Sequence, residues 1–79
     1  MSEVRKRSLT INGHRTSISL EPAFWDALRE IADNDNRSVA NLVAEIDRAR
    51  GESGLSSAIR VFVLARFRRN ASSKSADAG

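Results

Sequence analysis

The chain has 79 residues and a formal net charge of +3, from 13 Lys or Arg and 10 Asp or Glu, and it has no cysteine. This length predicts one domain, and a monomer of this size buries a modest fraction of its surface unless it oligomerises. The lack of cysteine excludes disulfides and thiolate metal sites. No apolar run resembles a signal peptide or is long enough to span a bilayer, so we expect a cytoplasmic protein without a membrane partner.

The charges are distributed unevenly along the chain. Residues 1–19 carry four basic residues and one acidic residue, residues 20–53 carry four and eight, and residues 54–79 carry five and one. Positive charge concentrated on both sides of an acidic middle predicts an anionic partner for those segments. The alternative is a solvated basic segment that binds nothing.

Two alternating segments lie near the N-terminus, over residues 8–11 and 15–20, and this alternation is typical of half-buried strands. The Asn12-Gly13 dipeptide between them predicts a β-hairpin with a two-residue turn. The predicted cross-strand pairs are Ile11 with His14 and Leu9 with Thr16. Residues 1–7 are expected to form a flexible basic arm.

The strand over residues 15–20 has a second possible partner. A single short strand cannot bury its apolar face or satisfy its edges alone, and a second copy of the chain is the simplest source of another strand. Two such strands paired antiparallel would form a symmetric ribbon.

Three helices are predicted to follow. The first covers about residues 22–33, because Pro22 suits the first helical position. Ser38 is a good N-cap for the second helix, which ends at the glycine-containing segment 51–54. The third helix covers about residues 55–68.

The third helix is apolar over much of its circumference, which predicts burial on two sides, one of them against another protein chain. Residues 70–79 are small, polar and low in complexity, and we expect a disordered tail there. The folded domain is therefore expected over residues 8–69.

A strand, a proline-started helix, an Asx-rich turn and a Ser-capped helix, in this order, resemble the ribbon-helix-helix family of dimeric bacterial DNA-binding proteins of the Arc, MetJ and CopG type. The residues that carry the match are RTSISLEPAFWDALREIADNDNRSVANLVAEI, residues 15–46, with the Arg37-Ser38-Val39 turn as the sharpest local feature. The segments Leu55-Ser56-Ser57-Ala58 and Arg60-Val61 resemble a subgroup that has an additional C-terminal helix. The resemblance implies an α+β homodimer, with a strand or hairpin followed by three helices and an intertwined core.

The function that the resemblance implies is that of a transcriptional regulator, which inserts a two-stranded β-ribbon into the major groove of double-stranded DNA. Free amides and the helix dipole at the start of the second helix favour an anion there, and a basic arm suits phosphate contacts. The residues expected to contact bases are Arg15, Ser17 and Ser19, and those expected to contact phosphates are Arg5, Lys6, Arg7, Arg37, Ser38 and Val39.

The hairpin complicates this interpretation. A dimer with four strands would place its outer strand axes roughly 14 Å apart, whereas the major groove is about 12 Å wide. Either the first strand detaches or bends away, or the sheet meets DNA differently, or it binds something else. The alternative function is a protein–protein interaction module that uses the same core without specific DNA binding, which the acidic middle and the apolar third helix favour.

Neither catalysis nor a cofactor is predicted. The serines have no convergent histidine or glycine-elbow context, so a nucleophilic site is not expected. The Asp33-Asn34-Asp35-Asn36 cluster lacks the glycine and the distal glutamate of a calcium loop, so no metal site is expected either.

Overall fold

The computed structural model describes residues 3–78, with side chains over residues 3–71. The elements in chain order are β1 (Arg5–Ile11), β2 (His14–Leu20), α1 (Pro22–Asn34), α2 (Val39–Ala49) and α3 (Leu55–Ala78). A hairpin followed by three helices confirms the predicted α+β class. Met1 and Ser2 of the predicted arm and Gly79 of the predicted tail lie outside the described residues.

The two strands form an antiparallel hairpin around Asn12 and Gly13, whose φ angles are 52° and 80°. A tight two-residue hairpin turn needs positive φ at both central positions, which Asn and Gly tolerate best. The structure confirms the predicted register: Ile11 pairs with His14 and Leu9 with Thr16.

The first strand begins earlier than predicted. Arg5, Lys6 and Arg7 pair with Leu20, Ser19 and Ile18 of β2, so they belong to the hairpin rather than to a flexible arm. The reason is the length of β2, which has seven residues and offers a pairing partner to each of them.

The core lies between one face of the hairpin and the three helices. Its most completely buried side chains are Ile18, Leu28, Ile31, Leu42, Val43 and Ile59. All of them are covered within a single copy of the chain. Burial of this apolar surface is the main stabilising contribution to a domain of this size.

The ends of the first two helices follow the sequence signals. Pro22 occupies the first position of α1, and Asn36 adopts a left-handed conformation with φ of 55° just after that helix. Ser38 is the N-cap of α2, as predicted, because its Oγ accepts a hydrogen bond from the amide of Asn41 at 3.0 Å.

The third helix continues to Ala78, beyond the predicted end near Arg68. It therefore includes residues 70–78, where the sequence predicted a disordered tail. Neither proline nor glycine interrupts residues 55–78, so nothing in this segment blocks the continuation of the helix. None of the helices in the described part of the chain is long and apolar enough to cross a membrane.

Candidate nucleic-acid interface

One side of the hairpin is polar and faces away from the helices. Side chains alternate along each strand, so the register brings alternate residues of β1 and β2 to the same side. This outer hairpin face consists of three cross-strand pairs, Lys6 with Ser19, Ser8 with Ser17, and Thr10 with Arg15. Five of the six residues are exposed, and Ser19 is partly buried.

The chemistry of the outer hairpin face suits an anionic, hydrogen-bonding partner. It carries two cations and four hydroxyl groups, and none of its six residues is acidic or aliphatic. Hydroxyl groups can both donate and accept hydrogen bonds, and Arg has a planar fork of donors. All three residues predicted to contact bases, Arg15, Ser17 and Ser19, lie on this face.

The three basic residues of β1 are divided between the two faces of the hairpin. Lys6 lies on the outer hairpin face, whereas Arg5 and Arg7 alternate to the opposite face. The guanidinium carbon of Arg7 lies 5.0 Å from the ring centroid of Trp25, in a cation–π contact. Of the three, the structure therefore brings only Lys6 together with the predicted base-contacting residues.

The first turns of α3 hold the C-terminal end of β2. The amide of Ser19 donates a hydrogen bond to Ser56 Oγ at 3.2 Å, and Arg60 donates to the carbonyl oxygen of Ser19 at 3.4 Å. The main-chain groups of Ser19 therefore point away from β1 and towards α3. This contact explains why Ser19 is less exposed than Arg15 and Ser17.

Arg60 also fixes the junction between β2 and α1. Its Nε donates to Glu21 Oε1 at 2.9 Å, and its guanidinium carbon lies 5.9 Å from the ring centroid of Phe24. The hydrogen bond from Arg60 holds the pKa of the Glu21 carboxyl below its usual value.

The start of α2 forms a second group of predicted contact residues. The Nε of Arg37 donates to Asn41 Oδ1 at 2.8 Å and another of its nitrogens to Glu45 Oε1 at 2.9 Å, so its side chain follows α2. The side chain of Val39 packs against the core, which leaves its amide as the group that could bind an anion. Ser38 is exposed at the cap.

The surroundings of this helix start are acidic as well as basic. Asp26, Glu30 and Asp33 line the same surface depression as Arg37 and Ser38. An anion at the amides of α2 would therefore approach several carboxylates, unlike an anion at the outer hairpin face.

Four residues that form or support the candidate interface were given no role there by the sequence. Ser8 and Thr10 follow from the Asn-Gly turn, because the turn fixes which residues share a face with Ser17 and Arg15. Ser56 and Arg60 had no local signal, since they lie 37 and 41 residues from Ser19 in the sequence.

The described residues form a β-hairpin with an exposed polar face, supported by three helices. The chain belongs to the ribbon-helix-helix family: the family described as "Ribbon-helix-helix domain" matches residues 4–67. Domains of this family are typically DNA-binding and not enzymatic.

A solved structure with a similar fold is that of an uncharacterized protein from Bordetella pertussis Tohama I, which is 36% identical in sequence. The similarity covers 90% of this chain with a TM-score of 0.76, and the chain spans 61% of that protein. No curated protein matches the chain.

Proposed function

We propose that this protein is a dimeric transcriptional regulator that places its outer hairpin face in the major groove of double-stranded DNA. The observation that supports this most is the composition of that face, which has two cations, four hydroxyl groups and no carboxylate on an exposed two-stranded ribbon. A two-stranded ribbon is one of the elements that the major groove admits.

The hairpin of a single chain is sufficient for this contact. Its two strand axes are about 5 Å apart, well within a groove about 12 Å wide, so the ribbon needs no strand from a second chain. Among the alternatives that the sequence leaves open, this proposal is the one in which the sheet meets DNA differently. Each chain contributes one hairpin to the contact.

The proposed contacts follow from the reach of each side chain. Arg15 would donate two hydrogen bonds to guanine, while Ser17 and Ser19 would each make one contact to a base edge. With one long side chain among the base-contacting residues, sequence discrimination should be modest. Lys6 would bind a phosphate beside the groove.

Further phosphate contacts would come from two other groups. Arg5 and Arg7, on the opposite face of β1, could reach phosphates that flank the ribbon. The amides of Ser38 and Val39 would bind a phosphate at the start of α2, with Arg37 released from Glu45 to contribute its charge.

The test is the affinity of the full chain for labelled duplex DNA of random sequence, measured by fluorescence anisotropy over a salt series. Engagement of several phosphates requires the logarithm of the association constant to fall linearly with the logarithm of salt concentration, by about 0.9 per phosphate. Absence of binding at low salt, or a flat response, would contradict the proposal. Selection of bound sequences from a random duplex pool then identifies the preferred site.

A protein–protein interaction module is the second candidate. It is favoured by large apolar side chains that α3 leaves in solvent, where Val61 is 66% exposed and Leu64 56%. A chain that binds no duplex DNA at low salt but forms a defined complex through α3 would support this function instead.

A further inference from the structure

The residues proposed to contact bases differ in reach. Arg15 has a long side chain that can adjust to the DNA, whereas Ser17 and Ser19 carry a hydroxyl one carbon from the main chain. A short side chain cannot compensate for a displaced strand, and groups that make specific contacts must be held to within about 0.5 Å. Base contact through Ser17 and Ser19 therefore requires that the main chain of β2 be fixed.

The helix α3 fixes β2 at the end where these serines lie. The amide of Ser19 donates to Ser56 Oγ at 3.2 Å, and its carbonyl oxygen accepts from Arg60 at 3.4 Å. Ser56 and Arg60 are four residues apart, so they lie on the same face of the helix on successive turns. Two hydrogen bonds from one helix face restrain both the position and the orientation of the strand end.

The guanidinium group of Arg60 joins this strand end to the helix that follows it. Its Nε bonds Glu21 Oε1 at 2.9 Å, and its guanidinium carbon lies 5.9 Å from the ring centroid of Phe24 on α1. The carboxylate of Glu21 and the carbonyl of Ser19 are bonded by different nitrogens of the planar fork. A lysine carries its donors on a single nitrogen, so it cannot occupy both positions.

The support for Arg60 is rigid, and its charge is already used inside the protein. Ile59 and Val63, on either side of Arg60 in the sequence, are 0% and 4% exposed in the core. The side chain of Arg60 is 30% exposed and is paired with Glu21. These features suit a residue that holds other groups in place better than one that binds a phosphate directly.

We propose that Arg60 and Ser56 are positioning residues for base recognition, which hold β2 at Ser19 so that the serine hydroxyls meet the base edges in the groove. This inference rests on the proposed function and adds a role for α3 in it. Neither residue touches DNA in this arrangement, because both act through the main chain of Ser19.

The first test measures, without DNA, whether α3 holds Ser19. Hydrogen exchange of the Ser19 amide, followed by NMR on the full chain, should become about 5-fold faster in Ser56→Ala, which corresponds to the loss of one hydrogen bond. Ser56→Thr keeps a hydroxyl and should restore slow exchange. The amide of Leu28, inside α1, should exchange alike in every variant. Equal exchange of the Ser19 amide in Ser56→Ala and in the unchanged chain would overturn the proposal.

The second test measures the ratio of the affinities for a selected DNA site and for duplex DNA of random sequence. Arg60→Lys keeps the charge but not the fork, so this ratio should fall by about 5-fold or more, as for the loss of one base contact. A ratio that stays as in the unchanged chain would overturn the positioning role.

The salt dependence of binding separates positioning from direct phosphate contact by Arg60. In Arg60→Gln the ratio should fall, while the slope of the affinity for random duplex against salt stays the same, because no phosphate contact is lost. A slope reduced by about 0.9, the value for one phosphate, would show that Arg60 itself binds DNA and would overturn the proposal.

Glu21 provides a test in which charge and positioning predict opposite signs. Removal of a carboxylate makes the chain more positive, which by itself strengthens binding to DNA. Glu21→Ala should instead weaken binding to the selected site, because Arg60 loses the contact that orients it towards Ser19. Stronger binding by Glu21→Ala would overturn the proposal.

The matched control is Asp47→Ala. Asp47 also accepts a hydrogen bond from an arginine Nε, that of Arg50 at 2.6 Å, but this pair lies at the end of α2 and does not include the hairpin. The control removes the same charge and the same kind of ion pair, so binding to the selected site should be unchanged or stronger. Equal weakening in Asp47→Ala and Glu21→Ala would overturn the assignment of the effect to β2.

The outcomes distinguish failure of this inference from failure of the proposed function. Equal discrimination by the unchanged chain and by Arg60→Lys would overturn the positioning role and leave the regulator function standing. An unchanged chain that binds no duplex DNA at low salt would overturn both, even where Ser56→Ala releases the amide of Ser19.

Discussion

The outer hairpin face and the side of α3 that carries Val61 and Leu64 are both exposed, but they differ in how favourably water hydrates their side chains. The polar side chains of the hairpin are well hydrated and need no cover until an anion replaces water. Val61 and Leu64 on α3 lose free energy by remaining in water, because full burial of one such side chain is worth about 1.5–3 kcal/mol. The first surface is therefore suited to reversible contact with a polyanion, and the second to contact with protein.

The largest expected difference is in the free energy of unfolding, between variants on the two sides of α3. Ile59→Ala should lower the free energy of unfolding by about 2–5 kcal/mol, because Ile59 is fully buried between the hairpin and the helices. Val61→Ala should change it by no more than about 0.5 kcal/mol in the monomer, since Val61 is mostly exposed. Urea denaturation at low protein concentration measures both. Equal losses would mean that Val61 is part of the core.

The hairpin face is tested next by Arg15→Ala. Loss of a bidentate contact to guanine should weaken binding to a selected DNA site by about 1–3 kcal/mol, or roughly 5- to 150-fold. Arg29→Ala removes the same charge from an exposed position on α1 and is the matched control. If Arg15→Ala costs less than about 0.5 kcal/mol, the proposed contact between Arg15 and a base is wrong.

A smaller difference, in the salt dependence of DNA binding, is expected between Lys6 and Arg7, which lie on opposite faces of β1. Lys6→Gln should reduce the salt dependence of DNA binding by about one unit of slope, which corresponds to one phosphate contact. Arg7→Gln should reduce it less, because Arg7 lies over Trp25 on the other side of the hairpin. Anisotropy titrations in a salt series distinguish the two, and an equal reduction would show that both faces contact phosphate alike.

The smallest expected effect is on the stability of the fold in acid, through the hydrogen bond between Arg60 of α3 and Glu21 at the end of the hairpin. The hydrogen bond from Arg60 lowers the pKa of Glu21, so the pair stabilises the fold above the ordinary carboxyl pKa of about 4.3. This contribution is lost as the pH falls through the lowered pKa of the folded state. The stability difference between the unchanged chain and Glu21→Gln, measured by urea denaturation, should therefore shrink in strong acid. A difference that grows as the pH falls would contradict this assignment.

Much of the hairpin could be predicted because its signals are local. Asn12-Gly13 fixes the turn and the register, and with them the face on which Arg15, Ser17 and Ser19 lie. The start of β1 could not be predicted in this way. Arg5-Lys6-Arg7 shows no alternation of polar and apolar residues, and it is a strand because β2 supplies the pairing partners.

The helices show the same division between local and distant causes. Pro22 and Ser38 mark helix starts that the structure confirms. The sequence predicts the end of α3 too early, because a polar, low-complexity composition is typical of disorder, although neither proline nor glycine interrupts residues 55–78. The hydrogen bonds of Ser56 and Arg60 to Ser19 depend on tertiary packing, which no short sequence pattern reports.

The attachment of Ser19 to α3 has a consequence for aggregation. An unprotected strand edge is a template on which strands of other molecules can add without limit. Ser56 and Arg60 occupy the main-chain amide and carbonyl of Ser19, and so shorten the edge of β2 that is open to such addition. The third helix therefore leaves less of β2 on which such addition could begin.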